Sequence, residues 1–389
     1  MQVPLLMQRL RMLIGIIFCR SGHWSAPVGL MCLAVLLLSS VFWAQKPSPL
    51  ASSSESECTL AYATDAGRLR EQRNTLEYTG ADQEGSADKA FGSIAPLKKS
   101  GASFGADLDV LTQETRRLWY HAQKVVAQWM GDTRVKRIGT YLITSEQQEQ
   151  MDRSMLPGDI IIVRKNWYLS NVGLPGFWSH AALYLGEPDK FKAYFDAPEV
   201  RTYLSTITGK ETTLDQYLLT RWPREWERYT RGESDDPYRV MEAISEGVVF
   251  NTLGHVAGDY AAALRPRLDK LAKTQAIIEA FHQLGKPYDF DFDFATEHAL
   301  VCTELIWRSY RPALGKAGLD LPLVVIMGRK TLPANELVRF YAEKRKSPDA
   351  QLDFVFFIDA IEEQQIATMS TEEEFARTYL RTKWDIALP

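Results

Sequence analysis

Cys302 lies in the run Ala299-Leu300-Val301-Cys302-Thr303-Glu304-Leu305-Ile306-Trp307, where the pattern predicts that a helix begins. A thiol at a helix N-terminus feels unpaired backbone N–H groups and the positive end of the macrodipole, and both favour the thiolate that attacks carbonyl carbon. His180 opens a short apolar strand and shares a face with Ala182 and Tyr184. Glu242 sits in a second such strand, with Val240 and Ile244 on its face. A carboxylate among aliphatics is costly unless paired, so Glu242 needs a partner: either His180 or a cation such as Arg239 or a surface lysine. Thiolate, imidazole and carboxylate fill the three roles of a thiol hydrolase, namely nucleophile, proton shuttle and orienting group. Each also has a plain structural reading, as a small buried hydrophobe, a satisfied core histidine and a structural acid.

The elements that must position these side chains can be read from the same sequence. Leu156-Pro157-Gly158-Asp159 is a turn, and Ile160-Ile161-Ile162-Val163 after it is a continuous apolar run of the kind that forms a fully buried strand. His180 to Leu185, ended by Gly186, and Arg239 to Ile244 are further strands. A helix is predicted from Leu268 to Leu284, with Ile277, Ile278 and Phe281 on one face and a stop at Gly285 and Pro287. Phe354 to Ile358 reads as another strand, and Glu372 to Leu380 as a closing helix. Strands in one block with flanking helices, and no βαβ alternation, argue for the α+β class.

The 389 residues suffice for a well-buried core, and a formal net charge of -4 offers nothing to a nucleic-acid partner. The N-terminus is organised differently. Residues 27–44 carry no charge and are just long enough to cross a bilayer. Arg9, Arg11 and Arg20 precede them and Lys46 alone follows closely, so residues 1–26 are expected in the cytoplasm and the bulk of the chain outside. A cleaved signal peptide is the rival reading, disfavoured by bulky Phe42 and Trp43 before Ala44. Residues 45–103, rich in Ser, Ala, Gly and acidic side chains, read as a flexible linker. From Asp107 to Met130 an amphipathic helix is expected to lead into a domain spanning 104–389. Cys19 and Cys32 lie in or beside the apolar region and Cys58 in the linker, which leaves Cys302 without an evident disulfide partner.

Five short motifs then occur in a telling order: Leu156-Pro157-Gly158-Asp159 with its strand, Trp178-Ser179-His180 with its strand, Met241-Glu242-Ala243, Gly285-Lys286-Pro287-Tyr288-Asp289-Phe290, and Val301-Cys302-Thr303-Glu304-Leu305. Over residues 156–310 the chain resembles the circularly permuted papain-like cysteine hydrolases of the YiiX/YaeF-like branch. These are permuted relatives of the NlpC cell-wall peptidases and are distantly similar to lecithin retinol acyltransferase. The resemblance implies a permuted papain-like fold, an antiparallel sheet with flanking helices, and a histidine that precedes the cysteine in the chain. It implies that Cys302 is the nucleophile, His180 the base and Glu242 the residue orienting it, with Tyr288 near the nucleophile and able to bind substrate. Thr303 stands where the family usually has serine, and a long segment from Lys190 to Tyr238 separates the second and third strands.

The expectation is a membrane-anchored cysteine hydrolase without cofactor or metal, on the outer face of the bacterial inner membrane. It would cleave an amide in peptidoglycan peptide or, alternatively, act on an acyl lipid; a non-catalytic envelope-binding module is a third reading. Within the insertion, Arg221 to Tyr229 mixes arginines with aromatics, as membrane-interface surfaces do, although a helix packing those aromatics on the domain is preferred. Asp289 to Phe294 superficially resembles the start of a calcium loop, but Phe294 and Leu300 occupy the places that need glycine and glutamate; the alternation suits an extended segment. His180, His255, His282 and His298 show no zinc-ligand spacing. No Gly-x-Ser-x-Gly elbow, phosphate loop or dinucleotide fingerprint is present.

Overall fold

The computed structural model describes residues 133–383, apart from 234–235, 291–293, 295–297 and 327. The expected anchor, linker and amphipathic helix lie outside the described residues, as does most of the Asp/Phe alternation after Asp289.

A seven-stranded antiparallel sheet in the order β4-β3-β2-β1-β5-β8-β9 organises the domain. The strands are β1 (Ile160–Arg164), β2 (His180–Tyr184), β3 (Tyr238–Ile244), β4 (Gly247–Thr252), β5 (Tyr260–Pro266), β8 (Leu352–Ile361) and β9 (Ile366–Ser370). A separate hairpin pairs β6 (Val324–Ile326) with β7 (Arg329–Thr331). The apolar run of β1 is central and buried along its whole length, because both faces of the sheet are covered. Ile160 and Ile162 face one core with Leu183, Met241 and Leu264; Ile161 and Val163 face another with Ala182, Val240 and Ala263. Full burial of each Ile, Val, Leu or Met side chain among these contributes about 1.5–3 kcal/mol.

Against the first face lie α8 (Lys270–Gln283) and α9 (Cys302–Tyr310), which pack on each other, while α9 also rests on β2 and β3. The second face is covered by α1 (Ser145–Ser154) through Met151, and by the short α7 (Leu253–Val256) through Leu253 and Val256. A one-turn helix, α2 (Ser170–Gly173), follows β1. The expected insertion is helical: α3 (Pro188–Phe195), α4 (Pro198–Thr208), α5 (Leu214–Arg221) and α6 (Pro223–Arg231). Its aromatics pack on the domain. Trp226 and Tyr229 are buried, Tyr229 donates to the Gly186 carbonyl at 2.7 Å, and Trp222 meets the His282 ring edge-on at 4.7 Å. Arg221, Arg224 and Arg228 are exposed on the other side.

After the hairpin, α10 (Ala334–Lys344) precedes β8. The predicted closing helix is shorter than expected, with α11 (Glu372–Phe375) followed by a 3-10 turn at Thr378–Leu380. The segment before α1 is clasped to the sheet by a wholly buried carboxylate. Asp259 accepts from Arg134 at 3.2 Å, Arg137 at 2.7 Å, and the N–H groups of Leu142 at 3.1 Å and Asn166 at 2.7 Å. Removing one partner from such a buried cluster costs about 3–5 kcal/mol, because the remaining charges are left uncompensated.

One glycine matters for the site. Gly247, with φ of 107°, follows the two-residue turn after β3, and a Cβ there would run into the Lys286 carbonyl. That closeness lets the Lys286 carbonyl accept from Val248 N–H at 2.9 Å, while Gly285 N–H donates back to Val248 at 3.0 Å. The same stretch continues to the Cys302 helix: Leu300 N–H donates to Pro287 and Asp289 N–H to Leu300, both at 3.0 Å. The Gly-Lys-Pro-Tyr motif is therefore a backbone splint between β4 and the start of α9.

Candidate active site

Val301 is extended (φ −92°, ψ 167°) and has no side-chain cap, and the first intrahelical bond of α9 runs from Leu305 N–H to the Val301 carbonyl at 3.1 Å. The N–H groups of Cys302, Thr303 and Glu304 are thus not used by the helix ladder. Thr303 N–H turns to the Cys302 sulfur, and so does Ala181 N–H from β2. The ladder explains Ala181. Tyr184 N–H bonds the Asp159 carbonyl on β1, so by alternation Ala181 and Leu183 point their N–H groups toward β3. Pairing with β3 covers Leu183 and Tyr184 only, and the Ala181 N–H beyond it is given to the sulfur.

Strand register also brings Glu242 to His180. Tyr184 lies opposite Val240 and Leu183 opposite Met241, which sets Glu242 opposite Ala182 and diagonal to His180 on the same face. The His180 Nε2 and Glu242 Oε2 atoms are 2.6 Å apart. The imidazole is also hydrogen-bonded to the Cys302 thiol, so one ring joins all three side chains. Arg239, the alternative partner for Glu242, is engaged elsewhere, with Glu187, Asp236 and Asp152.

The charges reinforce one another. Burial opposes ionisation of Cys302, but the imidazolium beside it, its hydrogen bond and the two backbone N–H groups overcome that and hold the thiol below its ordinary range. Burial also opposes the charge on His180, yet the Cys302 sulfur and then Glu242 raise it to about 10. Glu242 is held down at about 2: its burial acts the other way and is outweighed by the hydrogen bond and charge of His180, with Lys165 and His255 adding to it. The sign follows. The raised His180 stabilises the fold below its ordinary range and loses that contribution as pH climbs through about 10, while the depressed Glu242 contributes above the carboxylate range and loses it only toward about 2. Near neutral pH the His180–Glu242 ion pair is intact.

Tyr288, bridged to Leu300 by the splint, lies beside Cys302; burial and the sulfur's charge push its phenol well above its usual range. Glu304, two residues after Cys302, is wholly buried, bonded through Oε1 to Arg308 at 2.8 Å, and pushed up to about 7 by burial. Three polar neighbours of Glu242 were not foreseen. Asn251 Nδ2 donates to Oε1 at 2.6 Å, His255 Nε2 stands 3.8 Å from Oε1, and Lys165 adds positive charge nearby. Asn251 lies in β4, a strand whose signal was the tight turn at Ser245 and Glu246 leading into Gly247-Val248-Val249-Phe250. Among the described residues no group of three or more His, Cys, Asp or Glu is arranged to hold a metal ion.

Residues 154–352 match the family model of the permuted papain-like amidase enzymes, YaeF/YiiX, C92 family, over just over half of the chain. The chain belongs to this family. No curated protein and no solved structure matches it. The match contains β1, β2, β3, Cys302 and the splint, and runs beyond the motifs to the first residue of β8. Membership in the C92 family implies a permuted papain-like amidase or hydrolase, and a histidine ahead of the cysteine suits the permuted order.

The geometry makes a direct demand on reactivity. Iodoacetamide should alkylate Cys302 in the full chain appreciably near pH 6, well below the free-thiol value of about 8.5, as followed on the Cys302 peptide by mass spectrometry. His180→Ala should slow that labelling roughly tenfold or more, the equivalent of losing one pH unit of thiolate stabilisation. Equally slow labelling of both proteins would identify a buried structural cysteine instead.

Proposed function

We propose that this protein is a membrane-anchored cysteine hydrolase that cleaves an amide bond in peptidoglycan peptide from the outer side of the bacterial inner membrane. The observation that carries the reading is the contact chain from the Cys302 thiol through His180 to Glu242, whose last link is 2.6 Å. The thiolate attacks the carbonyl carbon, and the electron pair moves to the oxygen, which meets the free Cys302 N–H at the start of α9. Collapse of this tetrahedral adduct expels the amine, which takes its proton from the His180 imidazolium and leaves a thioester. Neutral His180 then removes a proton from water as it attacks the thioester, and the acid product departs with the thiolate restored. Glu242 stays ionised throughout, holding the ring and stabilising its charge. Tyr288, beside the sulfur, is placed to contact the substrate.

The anchoring half of the proposal comes from the uncharged stretch 27–44 and the arginines before it. That stretch lies outside the described residues, among which no helix is long and apolar enough to cross a membrane. An acyl-lipid substrate is the competing reading. It loses one of its supports, since the insertion's aromatics are turned into the domain.

Two experiments divide the alternatives. Purified full-length protein incubated separately with peptidoglycan fragments and with acyl lipids should yield an acyl adduct on Cys302 from the former, seen by mass spectrometry and absent in Cys302→Ala. An adduct only from lipid would transfer the assignment to lipid acyl chemistry, and none from either would point to a binding module. For topology, a reporter that works only after export, fused behind Pro389, should be active; activity of a cytoplasmic reporter at that position would invert the localisation.

A further inference from the structure

Glu242 meets polar groups from four parts of the fold. His180 of β2 lies 2.6 Å from Oε2, Asn251 of β4 donates to Oε1 at 2.6 Å, and His255 of α7 stands 3.8 Å from Oε1. Lys165, just past β1, adds positive charge and donates from Nζ to the His255 carbonyl at 2.6 Å. Of these, Asn251 alone bonds the carboxylate without itself being ionisable.

The terminal torsion of a glutamate is broad, so one hydrogen bond to an imidazole leaves the carboxylate free to swing. Here it could swing toward His255 and the nearby Lys165, whose ammonium would draw it away from His180. Asn251 closes that route. It lies opposite Val240 and hence diagonal to Glu242, on the opposite flank from His180, so three adjacent strands present His180, Glu242 and Asn251 in a row. An ionised carboxylate only accepts, so the amide must present its NH2 group, and that donor carries no charge to compete with the imidazolium.

We infer that Asn251 is a positioning residue of the reaction: by engaging Oε1 it keeps Oε2 aimed at His180 and thereby sets how strongly the thiolate–imidazolium pair is held. This rests on the Cys302, His180 and Glu242 roles proposed above.

The test follows the pH dependence of Cys302 alkylation by iodoacetamide in the full chain, resolved on the Cys302 peptide. Asn251→Val keeps a strand-favouring residue and removes the donor. It should move the acid limb of the profile upward by about one pH unit, or about tenfold slower labelling near pH 6. Asn251→Gln, with the amide on a longer stem, should restore most of the loss. A wild-type profile in folded Asn251→Val overturns the inference, and so does a shift that Asn251→Gln leaves uncorrected, which would mark a packing role. Should circular dichroism show Asn251→Val unfolded, Asn251→Ser, too short to reach Oε1, carries the same expectation and the same refutation. His180→Ala separates the two levels. Unchanged labelling there contradicts the underlying triad, whereas slowed labelling there with a wild-type profile in the Asn251 variant contradicts the positioning role alone.

Discussion

An ionised carboxylate 1 % exposed inside a sheet is the constraint around which the rest of this site is arranged. Taking such a charge out of water costs several kcal/mol, and the fold offsets it only by surrounding Glu242 with donors and positive charge. His180 and Asn251 both approach the carboxylate at 2.6 Å, and the charged imidazole in turn lowers the pKa of the Cys302 thiol. Glu242, His180 and Cys302 are thus one electrostatic unit in which each charge justifies its neighbour. Their opposite pKa displacements, the histidine upward and both acids downward, express that mutual dependence.

The fold delivers this unit through backbone regularity. Antiparallel register sets acid and base on diagonal positions of one face, and the premature end of β2–β3 pairing frees the Ala181 N–H for the sulfur. The start of α9, without a side-chain cap, leaves backbone N–H groups beside the Cys302 sulfur. Gly247 admits the 285–289 splint against β4, and the splint reaches Leu300 two residues before Cys302. Each device belongs to the main chain, so the site is rigid to the extent that the sheet is.

What was legible in the sequence follows from how local each signal is. The buried β1 run, the His180 strand, the Glu242 strand and the Cys302 helix announce themselves through short apolar patterns and a helix start, and the motif order points to a permuted papain-like family. β5 was missed because Ala261-Ala262-Ala263-Leu264 has a helical preference, overridden when β1 and β8 pair on either side of it. Asn251 was missed with β4, whose opening follows so closely on β3 that the two read as one strand and its aftermath. Glu304 lies in the Cys302 motif, but a sequence cannot show that its side chain is wholly buried against Arg308. The insertion's mixture of arginine and aromatic residues fitted two environments equally, and only packing against Phe281 and His282 distinguishes them.

A charged His180, held by Glu242 and standing beside Cys302, should keep the Cys302 sulfur as a thiolate. The most direct measurement is the ultraviolet thiolate absorbance of the full-length protein titrated with pH, with the Cys302→Ala spectrum subtracted at each point. The Cys302 band should already be developed near neutral pH, persist well below the ordinary thiol value of about 8.5, and move to higher pH in His180→Ala. A band that develops only at or above the ordinary thiol value, and at the same place in both proteins, would contradict this.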